Sequence, residues 1–104
     1  MEFTSIHYAD KRQKRNAFIE EHIGEGNVVD VFIVDRGHPG GAEIHSVTDT
    51  GIIIIHNKTT NKLITKIIAR PEQLRALYRS ENRKVPSRIL SLAYKHNIAS
   101  YNTI

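Results

Sequence analysis

The chain has 104 residues, an apolar share of 39%, no cysteine and a formal net charge of +4 at pH 7. This length predicts a single domain over residues 1–104 with one two-layer core, and the absence of cysteine excludes a disulfide framework and a cysteine-based zinc site. No apolar run approaches the about 18 residues of a membrane span, and residues 1–27 resemble no signal peptide. We therefore expect a cytoplasmic protein that makes no membrane contact.

A first helix is expected from Asp10 to about Ile23. Asp10 and Gln13 have the spacing of an N-cap and its capping-box partner, and Gly24 is suited to cap the C-terminus. The first two turns are crowded with cations, which oppose the helix dipole unless an anion such as a phosphate lies against them. These cations are Lys11, Arg12, Lys14 and Arg15.

Four β-strands follow the first helix, because apolar, β-branched runs alternate with turn residues such as Asp49-Thr50-Gly51. The pattern predicts an α+β fold with a four-stranded antiparallel sheet, an N-terminal helix and two C-terminal helices. The order of strands in the sheet should follow the chain, with the remaining elements covering one face of the sheet or extending its charge. The predicted strands are Val28–Asp35, Ala42–Val47, Ile52–Asn57 and Leu63–Ala69.

Two helices are predicted after the sheet. Pro71 is suited to the first position of a helix that runs to about Ser80. Pro86 opens a last helix whose apolar residues recur at helical spacing, and Asn97 is expected to end it. Residues 98–104 are then a tail.

Positive charge is concentrated in the C-terminal third. Residues 1–69 carry eight Lys/Arg and nine Asp/Glu, whereas residues 70–104 carry seven Lys/Arg and two Asp/Glu, a net +5. Such a concentration favours a polyanionic partner, most often nucleic acid; the alternative is a solvated helix surface that happens to be cationic. The predicted nucleic-acid-binding residues, here called the basic ridge, are Arg75, Arg79, Arg83, Lys84 and Arg88.

The sheet also carries residues suited to acid–base chemistry. Metal-independent cleavage of RNA needs a base for the 2′-hydroxyl, an acid for the leaving oxygen and a cation near the phosphate. Glu43 and His45 share one face of a strand, because side chains alternate along it. The candidate catalytic residues are Glu43, His45, His56, Lys66 and Arg70.

A metal site is the alternative for the same region. Glu43 and His45, with His38 or His56, would supply the ligands, but no strong zinc spacing such as HExxH is present. We expect no metal and no other cofactor.

The run from Glu43 to Ile53, with His38 before it, and the run from Lys62 to Leu74 resemble small proteins of phages and prophages of Gram-positive bacteria. The resemblance covers residues 28–97. These proteins are similar to the barnase, EndoU, colicin and RelE-type nuclease superfamily, in which helices pack on a four-stranded antiparallel sheet. The resemblance implies cleavage of RNA without a metal, at a site on the open sheet face.

The resemblance places Glu43, His45, Thr65, Lys66 and Arg70 where such a site lies. We therefore expect a small RNA-directed protein, a metal-independent endoribonuclease of phage, prophage or toxin type. Glu43 or His45 is the expected base, the other or His56 the acid, and Lys66 and Arg70 contact the phosphate. The alternative is a non-catalytic interaction protein that blocks a host or phage factor. RNA is the expected partner, beside an inhibitor or host-factor protein, and the sequence leaves the oligomeric state open.

Overall fold

The computed structural model describes residues 11–37 and 39–103, and of residues 102–103 the backbone alone. Within these ranges, four β-strands form an antiparallel sheet in the order β1-β2-β3-β4. The predicted α+β class and the predicted strand order are confirmed. Each strand begins and ends within one residue of its prediction: β1 is Val28–Val34, β2 is Glu43–Thr48, β3 is Ile52–Asn57 and β4 is Leu63–Ile68.

The strand register decides which side chains share a face of the sheet. His45 lies opposite Phe32 on β1 and opposite Ile55 on β3, whereas Ile44 lies opposite His56. Directly opposed residues project to the same face, and successive residues project to opposite faces. We call the face with Glu43, His45, Val47, Ile53 and Ile55 the odd face, and the face with Ile44, Ile54, His56, Lys66 and Ile68 the even face.

The odd face is covered by two helices, α2 (Pro71–Arg79) and α3 (Ser87–Thr103). Pro71 occupies the start of α2, as predicted. Buried residues of both helices pack against the sheet, and removing this apolar surface from water is the main stabilising contribution. The core on this side consists of Phe32, Val47, Ile53, Ile55, Ala69, Leu74, Tyr78, Ile89 and Ala93.

The even face is covered over β3 and β4 by the first helix. This segment, residues 11–23, is here called α1; it is α-helical over residues 11–18 and ends in a π-helical turn, Ile19–Ile23. Phe18 and Ile19 pack against Ile52, Ile54 and Ile68. The expectation that the remaining elements cover one face is therefore wrong. The sequence of β3 agrees with cover on both faces, because its first four residues are all apolar. In a strand that is buried on both faces, apolar and polar residues do not alternate.

Over β1 the even face is open in the described part of the chain. The names of the two faces follow the residue numbers of β2, β3 and β4. On β1 the odd-numbered Val31 and Ile33 belong to the even face, because they lie opposite Ser46 and Ile44 of β2. Their exposed fractions are 51% and 54%.

The end of α1 agrees with its prediction. Gly24 has φ +81°, a left-handed value that glycine adopts without a side-chain clash, and its N–H donates to the carbonyl oxygen of Ile19 at 2.7 Å. The π-helical turn that carries this bond was not predicted. The predicted N-cap, Asp10, lies outside the described residues.

The last helix is longer than predicted. Asn97 does not end it; its side-chain amide donates to the carbonyl oxygens of Ala93, one turn earlier, and of Ala69, at the end of β4, both at 2.7 Å. The bond to Ala69 ties the middle of α3 to the sheet, and the helix continues to Thr103.

Candidate functional site

Four residues of the predicted basic ridge line one cavity between α2 and α3. Arg75, Arg79, Arg83 and Lys84 surround a volume of about 330 Å³. Their position follows from the sequence, because residues four apart on a helix are neighbours and the polar break after α2 continues the row. Arg88, the fifth predicted residue, is exposed in the first turn of α3 and does not line this cavity.

Arg83 is held in place by a partly exposed network beside the basic ridge. Its guanidinium donates to Asp30 at 2.7 Å and to Glu81 at 3.2 Å, and it stacks over the ring of Tyr78 at 5.1 Å. The Tyr78 hydroxyl donates a short hydrogen bond to the same carboxylate of Asp30. β1 and α2 are thus joined by a carboxylate that accepts bonds from both a tyrosine and an arginine.

The network fixes the protonation of its members. Burial alone would raise the pKa of Asp30, but the hydrogen bonds from Tyr78 and Arg83, with the charge of Arg83, outweigh it, and the pKa lies below its usual value. For Tyr78, burial and the bond to Asp30 raise the pKa of the hydroxyl above its usual range. Both shifts favour the ionised carboxylate beside a neutral phenol.

A depressed carboxylate pKa makes stability depend on acid pH. The stabilising contribution of Asp30 is fully present above the pKa that this carboxyl has in the unfolded chain, about 3.9. It is lost as the pH falls through the lower pKa of the folded state. We expect Asp30→Asn to lower the free energy of unfolding by about 1.5–3 kcal/mol at pH 7, the range for hydrogen bonds to a charged group. Urea titrations at several pH values below 5 should show a smaller acid loss in the variant than in the wild type. Equal acid losses in the two proteins would contradict this assignment.

A larger cavity, of about 690 Å³, lies where α1, β4 and α3 meet. Its cations come from two distant parts of the chain: Lys11, Lys14 and Arg15 from α1, and Arg70 from the start of α2. All of the cations at the start of α1 except Arg12 thus line this one cavity. No carboxylate is among the described residues that line it, so the cavity is suited to an anion.

Arg15 is tethered at the wall of this larger cavity. Its guanidinium donates to the carbonyl oxygen of Lys66 at 3.1 Å and to the Thr65 hydroxyl at 3.0 Å, across 50 residues of chain or more. Burial, with the nearby charge of Arg12, lowers the pKa of Arg15. Both causes act against the positive charge, and an anion in the cavity would relieve them.

Glu43 and His45 form the closest acid–base pair among the predicted catalytic residues. They share the odd face as predicted, and Nε2 of His45 lies 3.0 Å from Oε1 of Glu43. His45 is only 3% exposed, which the sequence did not indicate, and its Nδ1 is buried without a hydrogen-bond partner in the described structure. In the tautomer with the proton on Nε2, His45 donates to Glu43 and Nδ1 is left as an acceptor.

His45 lines a separate cavity of about 330 Å³ between β1 and α2. Arg36 and Ser80 also line it, and Gln73 lines both this cavity and the larger one that contains Arg70. Oε1 of Gln73 accepts the backbone N–H of Arg70 at 3.2 Å. The His45 cavity and the larger cationic cavity are therefore neighbours across one side chain.

The remaining predicted catalytic residues lie elsewhere. His56 and Lys66 are on the even face, on the opposite side of the sheet from Glu43 and His45. Lys66 forms an ion pair with Glu25 at 2.6 Å. Arg70 is exposed at the start of α2. The structure thus brings Glu43 and His45 together and separates them from His56 and Lys66.

A metal centre has no ligand set in the described part of the chain. No group of three or more His, Asp or Glu side chains there is arranged to hold an ion. His38, one of the ligands of the alternative metal site, lies outside the described residues.

Several residues of these sites were not singled out from the sequence. Gln73 and Arg36 lack a motif, and only the packing of α2 against β1 and β2 brings them near His45. No sequence pattern singles out Tyr94, yet its hydroxyl accepts a hydrogen bond from Arg75 at 3.1 Å. The signal that was available is the seven-residue spacing of Tyr94 and Tyr101, which places them on one side of a continuous helix.

Comparisons with known protein families, with curated proteins and with solved structures find no match to this chain. The resemblance to the nuclease superfamily therefore stays an expectation. Among the described helices, none has the length and apolar character that crossing a membrane requires.

Proposed function

We propose that this chain is an RNA-directed protein that holds the phosphates of its partner on the basic ridge and in the larger cationic cavity. The observation that supports this most directly is the lining of the two cavities. Each contains four Lys/Arg side chains, and neither contains a carboxylate among its described lining residues. Phosphate contacts of this kind supply most of the affinity of sequence-independent binding.

The two cationic cavities lie near the two ends of α2. α2 connects them, because Arg70 precedes its first residue and Arg79 is its last. Nine residues of helix span about 13.5 Å at 1.5 Å per residue. A backbone that bridges both cavities would therefore run along α2, from Arg70 to the ridge residues Arg75 and Arg79.

Charge reversal on the basic ridge tests the proposal. The double variant Arg75→Glu with Arg79→Glu should weaken binding to every RNA sequence alike, because phosphates carry no sequence information. In the wild type, the logarithm of the affinity should fall with the logarithm of the salt concentration by about 0.7 per phosphate contact on a single strand. The variant should show a shallower slope. Fluorescence anisotropy of labelled RNA between low and moderate salt measures both quantities.

The turn between β3 and β4 offers a matched control. Lys58 and Lys62 are exposed there, and reversing both changes the net charge by the same four units as reversing Arg75 and Arg79. The control should bind RNA nearly as the wild type does. Absent or salt-independent binding by the wild type, or an equal loss in both double variants, would make the basic ridge a solvated surface and favour a protein partner.

Cleavage of the bound RNA is a second candidate function, which the contact between Glu43 and His45 favours. A carboxylate that is held in place by a histidine has the arrangement of a general base, and the Glu43 side chain is 29% exposed whereas that of His45 is 4% exposed. Arg36 lines the same cavity, as does Asp35, and Arg70 lines the neighbouring cavity beyond Gln73, so Arg36 and Arg70 are the candidate cations for a phosphate placed there. The proposed endoribonuclease therefore uses His45 to orient Glu43 and Glu43 to accept the 2′-hydroxyl proton.

A further inference from the structure

Two aromatic rings project to solvent from α3. Tyr94 is 48% exposed and Tyr101 is 88% exposed. They are seven residues apart, which is two helical turns, so both rings lie on one side of the helix about 10.5 Å apart along its axis. Tyr78, by contrast, is fully buried and belongs to the core.

Both exposed rings lie beside the cations that the proposed function uses. The Arg75 guanidinium lies 5.9 Å from the centroid of the Tyr94 ring and donates to its hydroxyl at 3.1 Å. Tyr101 lines the larger cavity together with Lys11, Arg15 and Arg70. Aromatic rings and cations therefore alternate along the seam between α2 and α3, from the larger cavity to the basic ridge.

This alternation suits unpaired bases. A base can stack on a protein ring only if its own face is free, which holds in a single strand and not inside a duplex. The separation of about 10.5 Å equals about three steps of stacked bases at 3.4 Å each. Ile67 and Ile68 also line the larger cavity and add apolar surface to it.

We propose that the RNA bound by this chain is single-stranded, with bases stacked on Tyr94 and Tyr101 and phosphates on the cations beside each ring. The inference rests on the proposed function, because it names the form of RNA that the same surface takes. Stacking on an aromatic ring tolerates any base. The site should therefore prefer single strands over duplexes without preferring one sequence.

Ring removal tests the inference. A labelled single strand of about 12 nucleotides, within the usual site sizes of such proteins, is titrated with the wild type, Tyr94→Ala and Tyr101→Ala. Each alanine variant should bind about 5- to 150-fold more weakly, the loss of one stacked base. The salt dependence should keep its slope, since no phosphate contact is lost. Tyr101→Phe should bind within about threefold of the wild type, because the ring remains.

The same RNA annealed to its complement separates the outcomes. The duplex should bind more weakly than the single strand, and the alanine substitutions should not change its affinity. Salt-dependent binding of both forms with equal affinity, or alanine variants that bind the single strand like the wild type, overturns the stacking inference while leaving the phosphate surface intact. Binding of neither form at low salt overturns the proposed function itself, and the inference with it.

Discussion

Replacing Tyr78 by alanine is expected to lower the free energy of unfolding by about 3–5 kcal/mol, the usual cost of removing a buried aromatic ring. Tyr78 is fully buried, and its ring packs edge-on against Phe32 with the centroids 4.8 Å apart. A loss of this size is a large part of the free energy of unfolding of a whole domain, which is about 5–15 kcal/mol. Urea unfolding followed by circular dichroism measures it, and the midpoint should shift with little change of slope.

Tyr78→Phe separates the hydroxyl from the ring. This variant keeps the packing against Phe32 and loses only the bond to Asp30, so we expect about 1.5–3 kcal/mol of destabilisation. Tyr101→Ala is the exposed control and should stay within about 0.5 kcal/mol of the wild type. An alanine variant at Tyr78 that unfolds within about 1 kcal/mol of the wild type would contradict the central place of this ring in the core.

The sheet could be predicted from the sequence because its determinants are local. Alternating apolar residues, β-branched runs and turn residues all lie within about ten positions of one another, and Pro71 marks the start of α2 in the same local way. The strand pattern also shows that Glu43 and His45 share a face, since it needs only a period of two.

Other features depend on contacts between distant parts of the chain. Alternation assigns residues to faces but does not say what covers each face, so the position of α1 and the burial of His45 beneath α2 were not predicted. α3 continues past Asn97, whose side chain bonds Ala69, 28 positions away, instead of capping the helix. Arg15 reaches β4 across 50 residues. No local sequence pattern predicts these contacts.

The register likewise explains the division of the predicted catalytic residues. In the regular register of β2, β3 and β4, odd-numbered residues pair with odd-numbered ones, as His45 with Ile55, and even-numbered residues with even-numbered ones, as Ile54 with Lys66. Odd and even residues of these strands therefore lie on opposite faces. Glu43 and His45 are odd, whereas His56 and Lys66 are even. A one-residue change in the turn between β2 and β3 would have moved His56 to the face of Glu43 and His45, so the geometry of this turn keeps His56 away from the pair.

The endoribonuclease hypothesis predicts the largest change in activity. A residue that transfers or positions a proton contributes about 10²–10⁴-fold to a rate. Glu43→Gln, which keeps the size of the side chain, should slow RNA cleavage by that factor, and so should His45→Gln. Single-turnover cleavage of total RNA in EDTA measures this, and the products should carry 2′,3′-cyclic phosphate, since the adjacent 2′-hydroxyl is the nucleophile.

Two controls separate this loss from misfolding and from metal chemistry. His22 is an exposed histidine on α1, and His22→Ala should cleave like the wild type. Because His45 is buried, its variant must also be compared with Glu43→Gln by thermal unfolding; only equal losses of rate with the fold retained assign the rate to the pair. Activity that EDTA abolishes and zinc restores would favour the metal site instead. Full cleavage by both variants, or none by the wild type on any RNA, would leave a binding protein whose Glu43 and His45 stabilise the contact between β2 and α2.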